Sequence, residues 1–149
     1  MTDPAKEAAR ITETESVSLS FPASVDLVVL ARFTAATVAA RAGFDVDEIE
    51  DLRLAVDELC VSFGPIESHS DVHLRFTRDE DNVRIDCEFD PLGNPALDGS
   101  TPAPTGLSTQ RADELSRQLL EALVDDHGRD ETGRRPCAWL EKRRTSGNP

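Results

Sequence analysis

Positive charge is scarce in this chain. Among its 149 residues, sixteen Lys and Arg stand against twenty-nine Asp and Glu, a formal net charge of −13. Such a surface repels phosphate backbones and anionic headgroups, so it argues against a nucleic-acid or membrane partner. It suits a basic protein partner, or acidity kept for solubility alone. Long apolar runs are missing too: none approaches the roughly 20 residues that cross a bilayer. The opening segment MTDPAKEAARITETES lacks the apolar stretch of a signal peptide, and a cytoplasmic location is the expectation. Cys60, Cys87 and Cys137 are scattered without metal-ligand spacing. Cys60 and Cys87 fall on apolar faces and read as buried free thiols in a reducing compartment. The three histidines make neither a zinc nor a triad pattern. No GxSxG, P-loop, HExxH or dinucleotide fingerprint is present.

What is there reads as one globular domain, spanning 15–143, between a flexible tail at 1–14 and a frayed tail at 144–149. VSLSF alternates, with Val17, Leu19 and Phe21 on one side, and makes a half-buried strand closed by Pro22. Ser24 is placed to cap a helix over VDLVVLARFTAATVAARAGF, with a stripe of Leu27, Leu30, Thr34 and Val38 and a stop at Gly43. A second helix, capped by Asp45 or Asp47, buries Ile49, Leu52, Val56, Leu59 and Phe63 and ends at Gly64-Pro65. Two strands follow, around Val72–Phe76 and Val83–Phe89, joined by the tight turn RDEDN. Residues 90–107, rich in Pro, Gly, Ser and Thr, form a lid-like loop or a plain insertion. A third helix from Ser108 or Thr109 to Asp126 carries Leu115, Leu119, Ala122 and Leu123 as its stripe. HGRDETGRRP is then a turn region and CAWLEKR a last strand. The fold class is α/β (α+β): a two-layer sandwich with a mostly antiparallel sheet and helices on one face.

Within DLRLAVDELCVSF, Asp51, Ala55, Glu58 and Ser62 cluster within about 60° of one another beside the apolar stripe. This row holds two acids and no base. Carboxylates at the rim of a core can hold a water or a metal-bound ligand, and partial desolvation raises their pKa toward base duty. A solvated acidic face explains the same pattern, and spacing alone leaves both open.

The run from VDLVVLARFTAATVAARAGF through DVDEIEDLRLAVDELCVSF resembles the N-terminal half of the anti-sigma regulatory serine-kinase family, within the histidine-kinase/Hsp90-like ATPases of the Bergerat (GHKL) fold. The match lies on Asp51-Leu52-Arg53-Leu54-Ala55-Val56-Asp57-Glu58, set against D-L-x-L-A-V-x-E, and the order of elements agrees over roughly 15–143. Actinobacterial anti-sigma proteins, which act in stress responses, are the most similar in pattern. The resemblance implies that Glu58 is the catalytic carboxylate, if the protein is active. It implies ATP and Mg²⁺ as cofactors, with Ser62, Asp90 and Gly93 at the binding positions. Ser62 stands where the family has a magnesium-ligating Asn, and a hydroxyl is a poorer ligand for an octahedral ion. Asp90-Pro91-Leu92-Gly93 stands where the family has D-x-G-x-G, with the glycine displaced and its successor absent. The helix that should open with glycines at the phosphates opens LSTQRADEL instead. No metal site is expected from this chain's own ligand spacing.

The resemblance implies two functions. One is an anti-sigma factor that sequesters an alternative RNA polymerase sigma factor and is released by an anti-anti-sigma (STAS) antagonist. The other is an active serine kinase that phosphorylates that antagonist. The degraded nucleotide motifs favour the first, a non-catalytic or weakly active kinase homologue. Homodimers are also implied by the family.

Overall fold

The computed structural model describes residues 14–92 and 107–145. Most of the expected lid-like loop and parts of both expected tails lie outside the described residues. Five strands form one antiparallel sheet: β1 (Glu15–Pro22), β2 (His69–Arg78), β3 (Asn82–Pro91), β4 (Asp126–Asp130) and β5 (Cys137–Arg143), in the order β1-β2-β3-β5-β4. Three helices, α1 (Val28–Arg41), α2 (Val46–Cys60) and α3 (Leu107–Leu123), pack on one face. The result is the α+β two-layer arrangement expected of a GHKL-like fold.

Alternation in the strands divides the sheet. Val72, Leu74, Phe76, Val83, Ile85, Cys87, Phe89, Ala138 and Leu140 are all buried beneath the helices. Their neighbours His73, Arg75, Arg84, Asp86, Glu88, Trp139 and Glu141 point to the other side, which no described helix covers. There the charges pair with one another: Arg84 with Asp86 at 3.1 Å and with Glu141 at 2.9 Å, and Arg135 with Asp90 at 3.1 Å.

Helix α2 is the keel of the helical layer. Asp45 caps it: its carboxylate accepts from the Glu48 amide at 2.8 Å while Glu48 accepts from the Asp45 amide at 3.0 Å, a reciprocal capping box. Glu48 is buried, and its second oxygen accepts from the Thr145 amide and hydroxyl at 2.8 and 2.9 Å. Thr145 falls in the expected C-terminal tail, yet it is tied to the start of α2. Burial opposes ionisation of Glu48, but these hydrogen bonds outweigh it and hold its pKa below the ordinary value. Leu52, Ala55, Val56 and Leu59 are fully buried.

Two helical stripes differ in phase from the sequence expectation. On α1 the buried residues are Val28, Ala31, Ala35, Val38 and Ala39, while Leu30 is 40 % exposed and Phe33 60 %. Alanines let α1 lie close to α2 and the sheet, so the small residues go in and the large ones stay out. On α3, Leu120 and the following Val124 are buried, whereas Leu115 and Leu119 are exposed. This helix ends at Leu123 rather than Asp126, because the chain turns at once into β4.

Other local expectations also change. Ser24 makes no side-chain cap; a 3₁₀ turn over Val25–Leu27 intervenes, held by the Leu27 amide donating to the Ser24 carbonyl at 3.1 Å. Gly43 ends α1 as expected, with φ +83° and the Phe44 amide reaching back to the Ala39 carbonyl at 3.1 Å. The segment expected as a turn after α3 begins as a strand: β4 pairs Gly128 with Trp139 and Arg129 with Ala138. Asp-His-Gly-Arg-Asp carries no apolar alternation, so pairing with β5 is what orders it. Gly128 is required by its neighbour, because a Cβ there would lie 2.8 Å from the Trp139 ring. Arg84 covers that ring at 4.5 Å.

Leu52→Ala should lower stability by about 2–5 kcal/mol in urea denaturation, since a fully buried side chain leaves a cavity. Gly128→Val should cost about 1–3 kcal/mol by overpacking and shift the emission of the single tryptophan. Unchanged emission and midpoint would contradict the packing of Trp139 against Gly128.

Candidate functional site

The acidic row of α2 is not uniform in its surroundings. Ala55 is fully buried, and Ser62, in the turn after the helix, is 5 % exposed. Asp51 does have a basic partner, supplied by the fold rather than by α2: Lys142 of β5 approaches it at 3.5 Å. The same ammonium donates to the Leu123 carbonyl at 2.7 Å, so Lys142 ties α2 and the end of α3 to the sheet. Asp51 is thus engaged structurally. Glu58 is half-buried, and its carboxylate makes no hydrogen bond to another described residue.

Ser62 lies close to Glu58 in the chain but turns away from ligand duty. Its hydroxyl donates to the Glu58 carbonyl at 3.3 Å, and its own carbonyl accepts from Arg129 at 2.7 Å. Both contacts close off the C-terminal end of α2, where carbonyls are otherwise unpaired.

Asp90 sits elsewhere. Phe89 points into the helical layer and is buried, so Asp90 beside it points to the helix-free face of the sheet. There its carboxylate is 2.8 Å from His73 Nε2 and 3.1 Å from Arg135. His73 in turn meets the Ser20 hydroxyl at 2.8 Å through Nδ1. The hydrogen bond from His73, and then the nearby charges, hold the Asp90 pKa below the ordinary carboxylate value. Glu58 and Ser62 therefore belong to the helical side and Asp90 to the open side, and the three do not converge. The hydrogen of the Ser62 hydroxyl is donated to the Glu58 carbonyl, leaving its oxygen lone pairs, while the Asp90 carboxylate is paired on the opposite side of the sheet. Gly93 lies outside the described residues.

A cleft of about 360 Å³ does open on the helical side, between the end of α2, α3 and β4. Ser62, Asp113, Arg117, Leu120, His127 and Arg129 are among its lining residues. Arg117, His127 and Arg129 escaped the sequence reading. Residues 127 and 129 sat in the segment taken as a turn, and with no apolar alternation in Asp-His-Gly-Arg-Asp the sequence offered no signal for them.

No family model matches the chain. Among curated proteins, it is 34 % identical over 74 residues to the serine-protein kinase RsbW of Bacillus cereus (strain AH187), a stretch covering 48 % of this chain and 46 % of that protein. It is 32 % identical over 78 residues to RsbW of Bacillus velezensis, covering 50 % and 49 %. The chain spans about half the length of the curated relatives it matches. These relatives support the resemblance to the anti-sigma serine-kinase family.

Because the Asp90 carboxyl is held low, its contribution to stability is present above the unfolded value of about 3.9 and is lost as pH falls through the lower folded value. In His73→Ala the largest cause disappears, and the Asp90 pKa should rise toward the ordinary value. A carboxyl-carbon NMR titration reads this directly, and an unmoved pKa would exclude the His73 pair as its cause.

Proposed function

We propose that this chain is an anti-sigma-type regulator that works in the cytoplasm by capture. It binds an alternative sigma factor of RNA polymerase and is released by an anti-anti-sigma (STAS) antagonist. Its likeness to RsbW supports the family, and its −13 charge suits a basic protein surface as partner. The observation that carries capture over chemistry is the fate of the nucleotide positions. Ser62 spends its hydroxyl on the Glu58 carbonyl, and Asp90 is locked to His73 and Arg135 on the far side of the sheet. Phosphoryl transfer depends on positioning and charge neutralisation, and a hydroxyl on one side of the sheet with a paired carboxylate on the other supplies little of either. The lid-like role of residues 90–107, the tails and the single-domain organisation belong to the same proposal.

A second reading is favoured by the relatives' name, serine-protein kinase. In it the chain uses ATP, with Mg²⁺, to phosphorylate the antagonist. Glu58, whose carboxylate is uncommitted among the described residues, is the group that would position or deprotonate the accepting hydroxyl.

Titration of the purified chain against each sigma factor of its host should find one that forms a stoichiometric complex, unchanged in Glu58→Ala. Calorimetry with Mg-ATP should find weak binding, and no label should pass from γ-labelled ATP to the antagonist. Tight Mg-ATP binding together with label transfer abolished in Glu58→Ala would establish the kinase instead. Failure to bind any sigma factor would remove the capture reading.

A further inference from the structure

On the open face of the sheet a hydroxyl, an imidazole and a carboxylate run across three neighbouring strands. Ser20 Oγ of β1 is 2.8 Å from His73 Nδ1 of β2, and His73 Nε2 is 2.8 Å from Asp90 Oδ2 of β3. What each group can do assigns the hydrogens. The hydrogen bond from His73 keeps the Asp90 carboxyl ionised below its ordinary range, and a carboxylate only accepts, so Nε2 is the donor. In the neutral ring Nδ1 is then the acceptor, and the Ser20 hydroxyl donates to it. The other oxygen of Asp90 meets Arg135 at 3.1 Å, which holds the carboxylate from its far side.

Ser20 differs from the other serines of β1. Ser16 accepts from Arg75 at 3.2 Å, and Ser18 stands opposite Arg75 in the strand pairing, so neither has a base beside it. The backbone also favours Ser20. The Ala23 amide donates to the Ser70 carbonyl at 2.9 Å, and the register of β1 on β2 runs unbroken from there. Hydrogen-bonded pairs alternate along such a ladder, which makes Ser20 and His73 a non-hydrogen-bonded pair with their side chains at closest approach. The Ser20 amide therefore points away from β2, to the sheet edge where no described strand pairs. Ser20 itself is exposed.

We propose that Ser20 is a base-activated nucleophile that takes the acyl group of a small activated carboxylic ester. Its Oγ bonds to the ester carbonyl carbon, and the bond from that carbon to the leaving oxygen breaks. The Oγ proton passes to His73 Nδ1 and on to the leaving oxygen. Asp90 is a positioning residue that keeps the ring in the tautomer offering Nδ1. The outward Ser20 amide is a donor for the carbonyl oxygen as it gains charge. No described helix covers this face, so the site suits a small ester with a good leaving group. Whether a sigma factor binds does not decide the matter, because the reactivity of Ser20 is read on the chain alone.

The test treats the full chain with 4-nitrophenyl acetate and, separately, with a fluorophosphonate, and locates the modified residue by peptide mass spectrometry. Both probes should mark Ser20 and spare Ser18. General-base assistance is worth about 10²–10⁴-fold, and a face open to water places this site at the low end, so His73→Ala should slow labelling about 10²-fold. Added imidazole should restore part of that loss. His73→Asn, which can still hydrogen-bond but cannot take the proton, should be as slow as His73→Ala. Asp90→Asn should slow labelling too, and nitrogen NMR of the His73 ring should show loss of the Nε2–H form. No modification at Ser20, equal modification at Ser18, or an undiminished rate in His73→Asn would overturn the proposal and leave the three residues a structural hydrogen-bond chain.

Discussion

The seating of α2 on the sheet is the contact on which the remaining geometry hangs. Leu52, Ala55, Val56 and Leu59 are wholly out of water, and each large side chain contributes about 1.5–3 kcal/mol through burial. With that face immobilised, both ends of the helix become fixed points. At its start, Asp45 and Glu48 close a capping box whose second partner is Thr145, far along the chain. At its end, Ser62 and Arg129 satisfy the exit, and Arg129 is thereby held beside the cleft. Lys142 fastens the flank by meeting Asp51 and the last carbonyl of α3.

Charge is handled differently on the two sides of the sheet. The open face carries a lattice of ion pairs around Arg84 and Arg135, most of them partly solvated and individually weak, with the His73–Asp90 hydrogen bond beside them. Their effect is to commit polar groups to one another, Asp90 among them. The helical side pairs its cations too, Arg32 with Asp57 and Lys142 with Asp51, while Arg117, His127 and Arg129 line an open cleft. The sheet-and-helix frame thus carries its polar groups in an arrangement of its own. Asp90, a binding position by resemblance, is paired with His73, while unanticipated basic residues border the cleft.

Much of the architecture was legible from pattern. Period-two alternation in Val72–Phe76 and Val83–Phe89 located the central strands, and a cap at Asp45 or Asp47 with the Leu52–Leu59 stripe located α2, of which the fold uses Asp45. The failures share a cause. On α1 the periodicity of large residues pointed to Leu30, but close helix packing selects alanine, and a hydropathy pattern weighs alanine too lightly. On β4 no apolar alternation exists, because its order comes from pairing with β5 and from the fit of Gly128 to Trp139.

The candidate site divides in the same way. Residue identity and helical spacing were enough to put Glu58 and Ser62 on adjoining turns, because that relation is local and set by backbone geometry; Asp90, read as the first residue of the loop, instead lies within β3, which runs on to Pro91. Which face Asp90 looks toward, which base meets Asp51 and which side chains border the cleft are relations between elements far apart in the chain. They depend on sheet order and on how α2 and α3 lie across it. No window of sequence contains that information, because the energies that select it come from burial and pairing between segments that meet only in the folded state.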